Sequence, residues 1–152
     1  MRAGDELPAL DVPVTRTLVV AGALASRDFQ DVHHDAEAAR AKGSPDIFMN
    51  ILTTNGLVGR YITDRLGPRA VLLRVSLRLG VPNHPGDVLT LTGRIVSVSD
   101  HSQGGGAEGD AGAVVEAEIA VTGSNRLGRH VTGTVVAAVP APPARAAGAC
   151  AG

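Results

Sequence analysis

Residues 47–66 carry the one long helical pattern in this chain, and the rest must be arranged around it. Ile47, Ile51, Val58 and Ile62 recur at steps of four, seven and four, with Phe48, Leu52 and Leu66 widening the stripe. That is the period of an amphipathic helix. Ser44-Pro45-Asp46 is the expected start, and Gly67-Pro68 the expected end. Asn50, Thr53, Thr54, Asn55, Arg60 and Asp64 make the segment too polar to span a membrane. Gly56 and Gly59 each weaken a helix by roughly 1 kcal/mol relative to Ala, and are tolerated where backbone approaches a sheet or ligand closely.

What covers the stripe is strand. Residues 70–81, 87–99, 113–123 and 130–139 read as four strands. In the first, Leu73, Val75, Leu77 and Leu79 alternate with Arg74, Ser76 and Arg78. Residues 82–87 form a compact turn between the first two, and residues 124–128 the last turn. Upstream, residues 1–16 read as an irregular lead-in, where Pro8 and Pro13 confine any strand to a sheet edge. Residues 17–25 are rich in β-branched and small apolar side chains and read as a strand. Residues 35–42 form a short helix, with Asp35 as N-cap and Gly43 as its stop. The long helix is followed by a meander of four strands, and the expectation is a single α+β fold of the hot-dog type, a curved antiparallel sheet wrapped around one long central helix, though periodicity alone also allows other α+β folds.

At 152 residues the chain is one domain's worth of material. We assign residues 1–139 to the domain, residues 102–112 to a flexible Gly-rich hairpin tip, and residues 140–152 to a disordered Ala/Pro/Gly tail. Net charge is −1 with no basic cluster, and there are no Trp, two Phe and one Tyr, so neither a nucleic-acid footprint nor a base-stacking platform is present. The lone Cys150 excludes an internal disulfide and a cysteine metal cluster. The N-terminus lacks the charged and apolar regions of a signal peptide. The expected location is the cytoplasm, with no membrane partner.

The chemistry lies just before the long helix, in Ser26-Arg27-Asp28-Phe29-Gln30-Asp31-Val32-His33-His34-Asp35. Asp28 and His33 are separated by a turn that lets their side chains converge. A carboxylate beside an imidazole is a general acid–base pair able to activate water. The first free N–H groups of the following helix, with the positive end of its dipole, suit an oxyanion on a thioester carbonyl. On chemistry alone, an Asp/His turn serving as cap or solvated loop is the competing reading. A metal site is disfavoured, because neighbouring His33 and His34 diverge and no HExxH or Cys partner exists.

This segment resembles the signature of the MaoC-like, R-specific enoyl-CoA hydratases, Asp-x-Asn-Pro-x-His-x-Asp. Asp28, His33 and Asp35 fall on its Asp, His and second Asp, while Gln30 and Asp31 replace Asn and Pro. Ile47-Phe48-Met49-Asn50-Ile51-Leu52 occupies the family's Ile-Ala-His-Gly-Met-Leu segment, so Asn50 stands where a glycine normally offers its amide to the thioester. These strings, with Leu79-Gly80-Val81-Pro82, resemble an actinobacterial branch in which a small MaoC-like subunit pairs with a catalytically silent MaoC-like chain. There the pair hydrates the enoyl-CoA of a shortened steroid side chain. The likeness runs over residues 14–136, apart from the Gly-rich tip.

The resemblance implies Asp28 as base toward water and His33 as the partner that positions water and exchanges the α-carbon proton. It implies Phe48, Met49 and Asn50 as the acyl-pocket lining, against the alternative that Phe48 and Met49 are core. Asp35 is a cap, and His34 faces solvent or a neighbouring subunit. An acyl-CoA is substrate, no cofactor or metal is needed, and the partner is a second MaoC-like subunit or another copy of the chain. Competing functions are a non-catalytic thioester-binding subunit, a hydratase of another acyl-CoA or polyketide pathway, a thioesterase and a cystatin-like carrier. The thioesterase requires a helix carboxylate that residues 47–62 lack.

Overall fold

The computed structural model describes residues 1–100 and 114–140, so the expected tip at 102–112 and the tail from 141 lie outside the described residues. Five strands form one antiparallel sheet: β1 (Glu6–Pro13), β2 (Val71–Leu79), β3 (Val88–Asp100), β4 (Val114–Asn125) and β5 (Gly128–Pro140), in the order β1-β3-β4-β5-β2. The later four fall where alternation put them, and β5 continues one residue into the expected tail. Across the sheet lies α3 (Ile51–Leu66), whose buried Leu57, Val58, Tyr61 and Ile62 meet Leu89, Leu91, Ile119, Val121, Val131 and Val135 in one core. This is the helix-in-sheet arrangement expected.

Four expectations are corrected. Residues 17–25 are a helix, α1 (Arg16–Ala25), not a strand. The Thr15 hydroxyl caps it by accepting the Leu18 N–H at 3.0 Å. Val19 and Ala23, one turn apart, are its buried residues. Gly22 lets α1 touch α3, since a Cβ there would sit 2.2 Å from the Thr53 hydroxyl. The lead-in is partly ordered, because β1 pairs with β3 as an edge strand.

The four later strands are not a simple meander. Only β3, β4 and β5 follow one another, while β2 pairs with β5 at the far edge. The loop at 82–87 therefore carries the chain from one side of the sheet to the other. It is pinned by Val14 N–H to Asp87 O and Gly86 N–H to Val14 O, both 2.8 Å.

The long helix begins at Ile51 rather than after Asp46. The backbone of residues 47–49 is engaged elsewhere. Phe48 N–H donates to Val32 O, Met49 N–H to Asn83 O, and the Ile47 and Phe48 carbonyls accept from His84 and His33. With those groups spent, that stretch cannot join the i→i−4 ladder.

The short helix is as expected. In α2 (Ala36–Ala41) the Asp35 carboxylate accepts from Glu37 and Ala38 N–H, and Gly43 leaves the helix at φ +88°. No helix among the described residues is long and apolar enough to cross a membrane.

Candidate active site

Asp28 reaches its place through the end of α1. Asp28 N–H donates to Ala23 O at 2.9 Å and Arg27 N–H to Leu24 O at 3.1 Å, the paired bonds of a Schellman stop. The residue that turns the chain is Arg27, at φ +56°, the sole non-glycine with positive φ among the described residues. The turn aims the Asp28 side chain back toward the 3₁₀ turn Asp31–His33.

His33 is 5 % exposed, and its Nδ1 lies 2.7 Å from Phe48 O. A carbonyl can only accept, so Nδ1 carries a proton and Nε2 is the nitrogen left to meet other groups. That Nε2 stands 3.3 Å from Asp28 Oδ2. The two predicted residues therefore meet. Two lone pairs facing each other at that distance require a shared proton or a donor between them, the condition for holding a water or a reacting proton.

The Asn50 amide donates to Asp28 Oδ2 at 3.0 Å and to Ser26 Oγ at 2.9 Å, while Asn50 Oδ1 accepts the Thr53 N–H at 2.9 Å as the N-cap of α3. The Asn50 amide, helped by the Gln30 N–H and the nearby imidazole, holds the Asp28 carboxyl below its ordinary value of 3.8 despite partial burial. Asp28 is thus a carboxylate throughout the neutral range.

A cavity of about 180 Å³ opens beside His33, lined by Phe48, Met49, Asn50, Ile51, Leu79, Gly80, Val81, Pro82 and His130 as well. All three predicted lining residues reach it, in different ways. The Phe48 ring is packed edge-on against His33, with centroids 5.1 Å apart. Met49, only 2 % exposed, borders the cavity and belongs to the hydrophobic core at once. Asn50 commits its side chain to hydrogen bonds.

His34 is exposed, as expected. The larger groove of about 590 Å³, across β1, β3 and β4, shares no residue with this cluster.

Sequence reasoning missed His130 and Thr54. His130 Nδ1 donates to Val81 O at 2.8 Å, and its Nε2 accepts from the Thr54 hydroxyl at 2.9 Å. Burial pushes the His130 imidazole below its ordinary 6.5, so it is a neutral wall of the cavity. No local spacing could have found it, because β5 is brought to the cavity only by its pairing with β2 and β4. His84 was read only as a turn residue. It is buried and donates from Nδ1 to Ile47 O at 2.9 Å, which helps keep this stretch out of the helix.

No family model matches the chain. It is 46 % identical over 132 residues to the 3-oxo-4,17-pregnadiene-20-carboxyl-CoA hydratase beta subunit of Mycobacterium tuberculosis, covering 87 % of this chain and 92 % of that one. The crystal structure of the ChsH1-ChsH2 complex from Mycobacterium tuberculosis contains a chain 44 % identical, with TM-score 0.76, covering 90 % of this chain and 97 % of that one. The R-hydratase PhaJ1 from Pseudomonas aeruginosa shares the fold at 19 % identity and TM-score 0.75, over 93 % of this chain and 84 % of that one. With the likeness to the beta subunit spanning nearly both chains, this protein belongs to the MaoC-like hydratase family, hydro-lyases of the hot-dog fold.

Proposed function

We propose that the chain is the catalytic subunit of a 2-enoyl-CoA hydratase acting on a bulky, steroid side-chain acyl group. The observation that carries the proposal is the 3.3 Å approach of His33 Nε2 to the Asp28 carboxylate, with Nδ1 already committed to Phe48 O. Asp28 accepts a proton from water as the water oxygen bonds to the β-carbon. The double-bond electrons move to the thioester oxygen, and protonated His33 delivers its Nε2 proton to the α-carbon. Transfer of the Asp28 proton to His33 restores the pair. The first N–H groups of α3 stabilise the enolate oxygen. Hydration asks only for proton transfer and charge stabilisation, so the CoA thioester is the substrate and no bound cofactor is invoked.

The steroid assignment rests on the named substrate of the 46 % identical relative. A cavity of about 180 Å³ is smaller than the ~300–1,000 Å³ of typical ligand sites, so a fused-ring acyl chain needs walls from a second subunit. A MaoC-like partner is proposed on that ground and on the relative's description as a beta subunit.

The test is the loss of enoyl absorbance with a steroid 2-enoyl-CoA and with crotonyl-CoA, using the chain alone and with a co-expressed MaoC-like partner. Turnover of the steroid thioester only with the partner is the expected result, and Asp28→Asn or His33→Ala lowers it by about 10²–10⁴-fold. Crotonyl-CoA turnover by the chain alone would make it a general hydratase. CoA-thioester binding without turnover would make it a non-catalytic subunit.

A further inference from the structure

We propose that Asn50 is the positioning residue for the Asp28 carboxylate: its side-chain amide ties the base to the first turn of α3 and holds it opposite His33. The inference rests on the hydratase proposal for its catalytic consequence, though not for the contact itself. The orientation of the amide is dictated by its surroundings. Thr53 N–H can only donate, so the atom 2.9 Å from it is Oδ1, and Nδ2 must face Ser26 Oγ and Asp28 Oδ2. Both Nδ2 hydrogens are then used, and Ser26 is itself fixed, its hydroxyl donating to Gly22 O at 2.7 Å.

Asn50 is 2 % exposed, so its amide is shielded from competition by bulk water. The carboxylate oxygen that Asn50 holds is the one His33 Nε2 faces. One side chain therefore fixes where the base lies and where the helix begins. Glycine, the usual residue at the corresponding place in the resembled motif, has no side-chain amide with which to do either.

A residue that only capped α3 would behave differently on substitution. Aspartate is as good an N-cap as asparagine and suits the positive helix end. Asn50→Asp therefore keeps the cap oxygen while replacing the Asp28 donor by a second carboxylate. Like charges at this distance push one carboxyl upward. With the full chain, its partner and a 2-enoyl-CoA that the wild type hydrates, kcat is expected to fall at least about tenfold while KM changes less, with the acid limb of the kcat profile displaced to higher pH.

Asn50→Gly removes the donor without adding charge. Carbon-13 NMR titration should show the Asp28 carboxyl moving up toward its ordinary range in this variant, and this readout serves if Asn50→Asp does not fold. Wild-type kcat and pH profile in Asn50→Asp, or an unchanged Asp28 titration in Asn50→Gly, would overturn the proposal. If the wild type hydrates no 2-enoyl-CoA, the hydratase reading falls, and the titration still decides whether Asn50 governs Asp28.

Discussion

His33 and His130 line the same cavity but are held differently. Both spend Nδ1 on a backbone carbonyl, Phe48 O for one and Val81 O for the other. They differ in what meets Nε2. For His33 it is the Asp28 carboxylate, 3.3 Å away. For His130 it is the hydroxyl of buried Thr54, which satisfies the lone pair and leaves the ring neutral. Because the folded pKa of His130 lies below its ordinary 6.5, the unfolded chain takes up that proton first as pH falls. The stability tied to neutral His130 is therefore present above pH ~6.5 and is lost progressively below it. Replacing His130 by Gln should cost roughly 1–2 kcal/mol near pH 8, through the disturbed hydrogen bonds. The difference from wild type should then shrink as pH drops to 5. Urea unfolding at pH 8, 6 and 5 measures it, and a gap that stays constant would show that His130 does not titrate differently on folding.

At the scale of the element, the site depends on three helix ends: the stop of α1, the cap of α2 and the cap of α3. Only the second was legible in the sequence, because Asp35 followed by Glu37 and Ala38 is a local signal and needs no other part of the chain. The end of α3 was legible for the same reason, with Gly67 at φ +95° closing it. Its start was not, since Ile47 and Met49 continue an apolar stripe while their backbone is claimed by His84 and Asn83, from a loop distant in sequence. Helix α1 was hidden by Thr17, Val19 and Val20, whose strand preference is overridden once Thr15 caps the turn and Val19 and Ala23 are buried together. Strand positions were readable from alternation. In β2, however, the register shift between Leu72 and Arg74 makes Leu72 rather than Leu73 the residue packed on the core, which alternation alone cannot show.

The stop of α1 also carries a measurable cost. Arg27 sits in the left-handed region, which disfavours an L side chain by roughly 1–2 kcal/mol, part of which glycine gives back in unfolded-state entropy. Arg27→Gly should therefore raise stability by about 0.5–1 kcal/mol, seen as a higher urea midpoint at unchanged slope. A lower midpoint would mean that the Arg27 side chain contributes more than its backbone costs.

At the scale of the molecule, the two sheet edges are built differently. β1 is broken by a register shift between Leu7 and Leu10, and carries Pro8, Pro13 and Asp11, devices that discourage further pairing. β2 has no proline, and Val71, Leu73, Val75 and Leu79 are between 36 % and 57 % exposed along it. Ile51 and Leu52, at the start of α3, are half exposed as well. Leu79 and Ile51 also line the cavity beside His33, so the apolar edge adjoins the place where an acyl chain would enter. Exposed apolar surface of this kind is characteristic of protein contacts, and the proposed partner would both cover it and extend the cavity. Val75 lies on this edge but not in the cavity wall. A lysine there puts charge on the edge strand, so Val75→Lys should lower the mass of the assembly measured by light scattering and reduce turnover of the steroid thioester. The Asp28 carboxyl titration should stay as in wild type, because the Asp28–His33–Asn50 cluster is built within one chain. Ala9→Lys, the same charge on exposed β1, should change neither mass nor turnover. Dissociation by Ala9→Lys and not by Val75→Lys would move the interface to the opposite edge and leave the His33 cavity to be closed from within the chain.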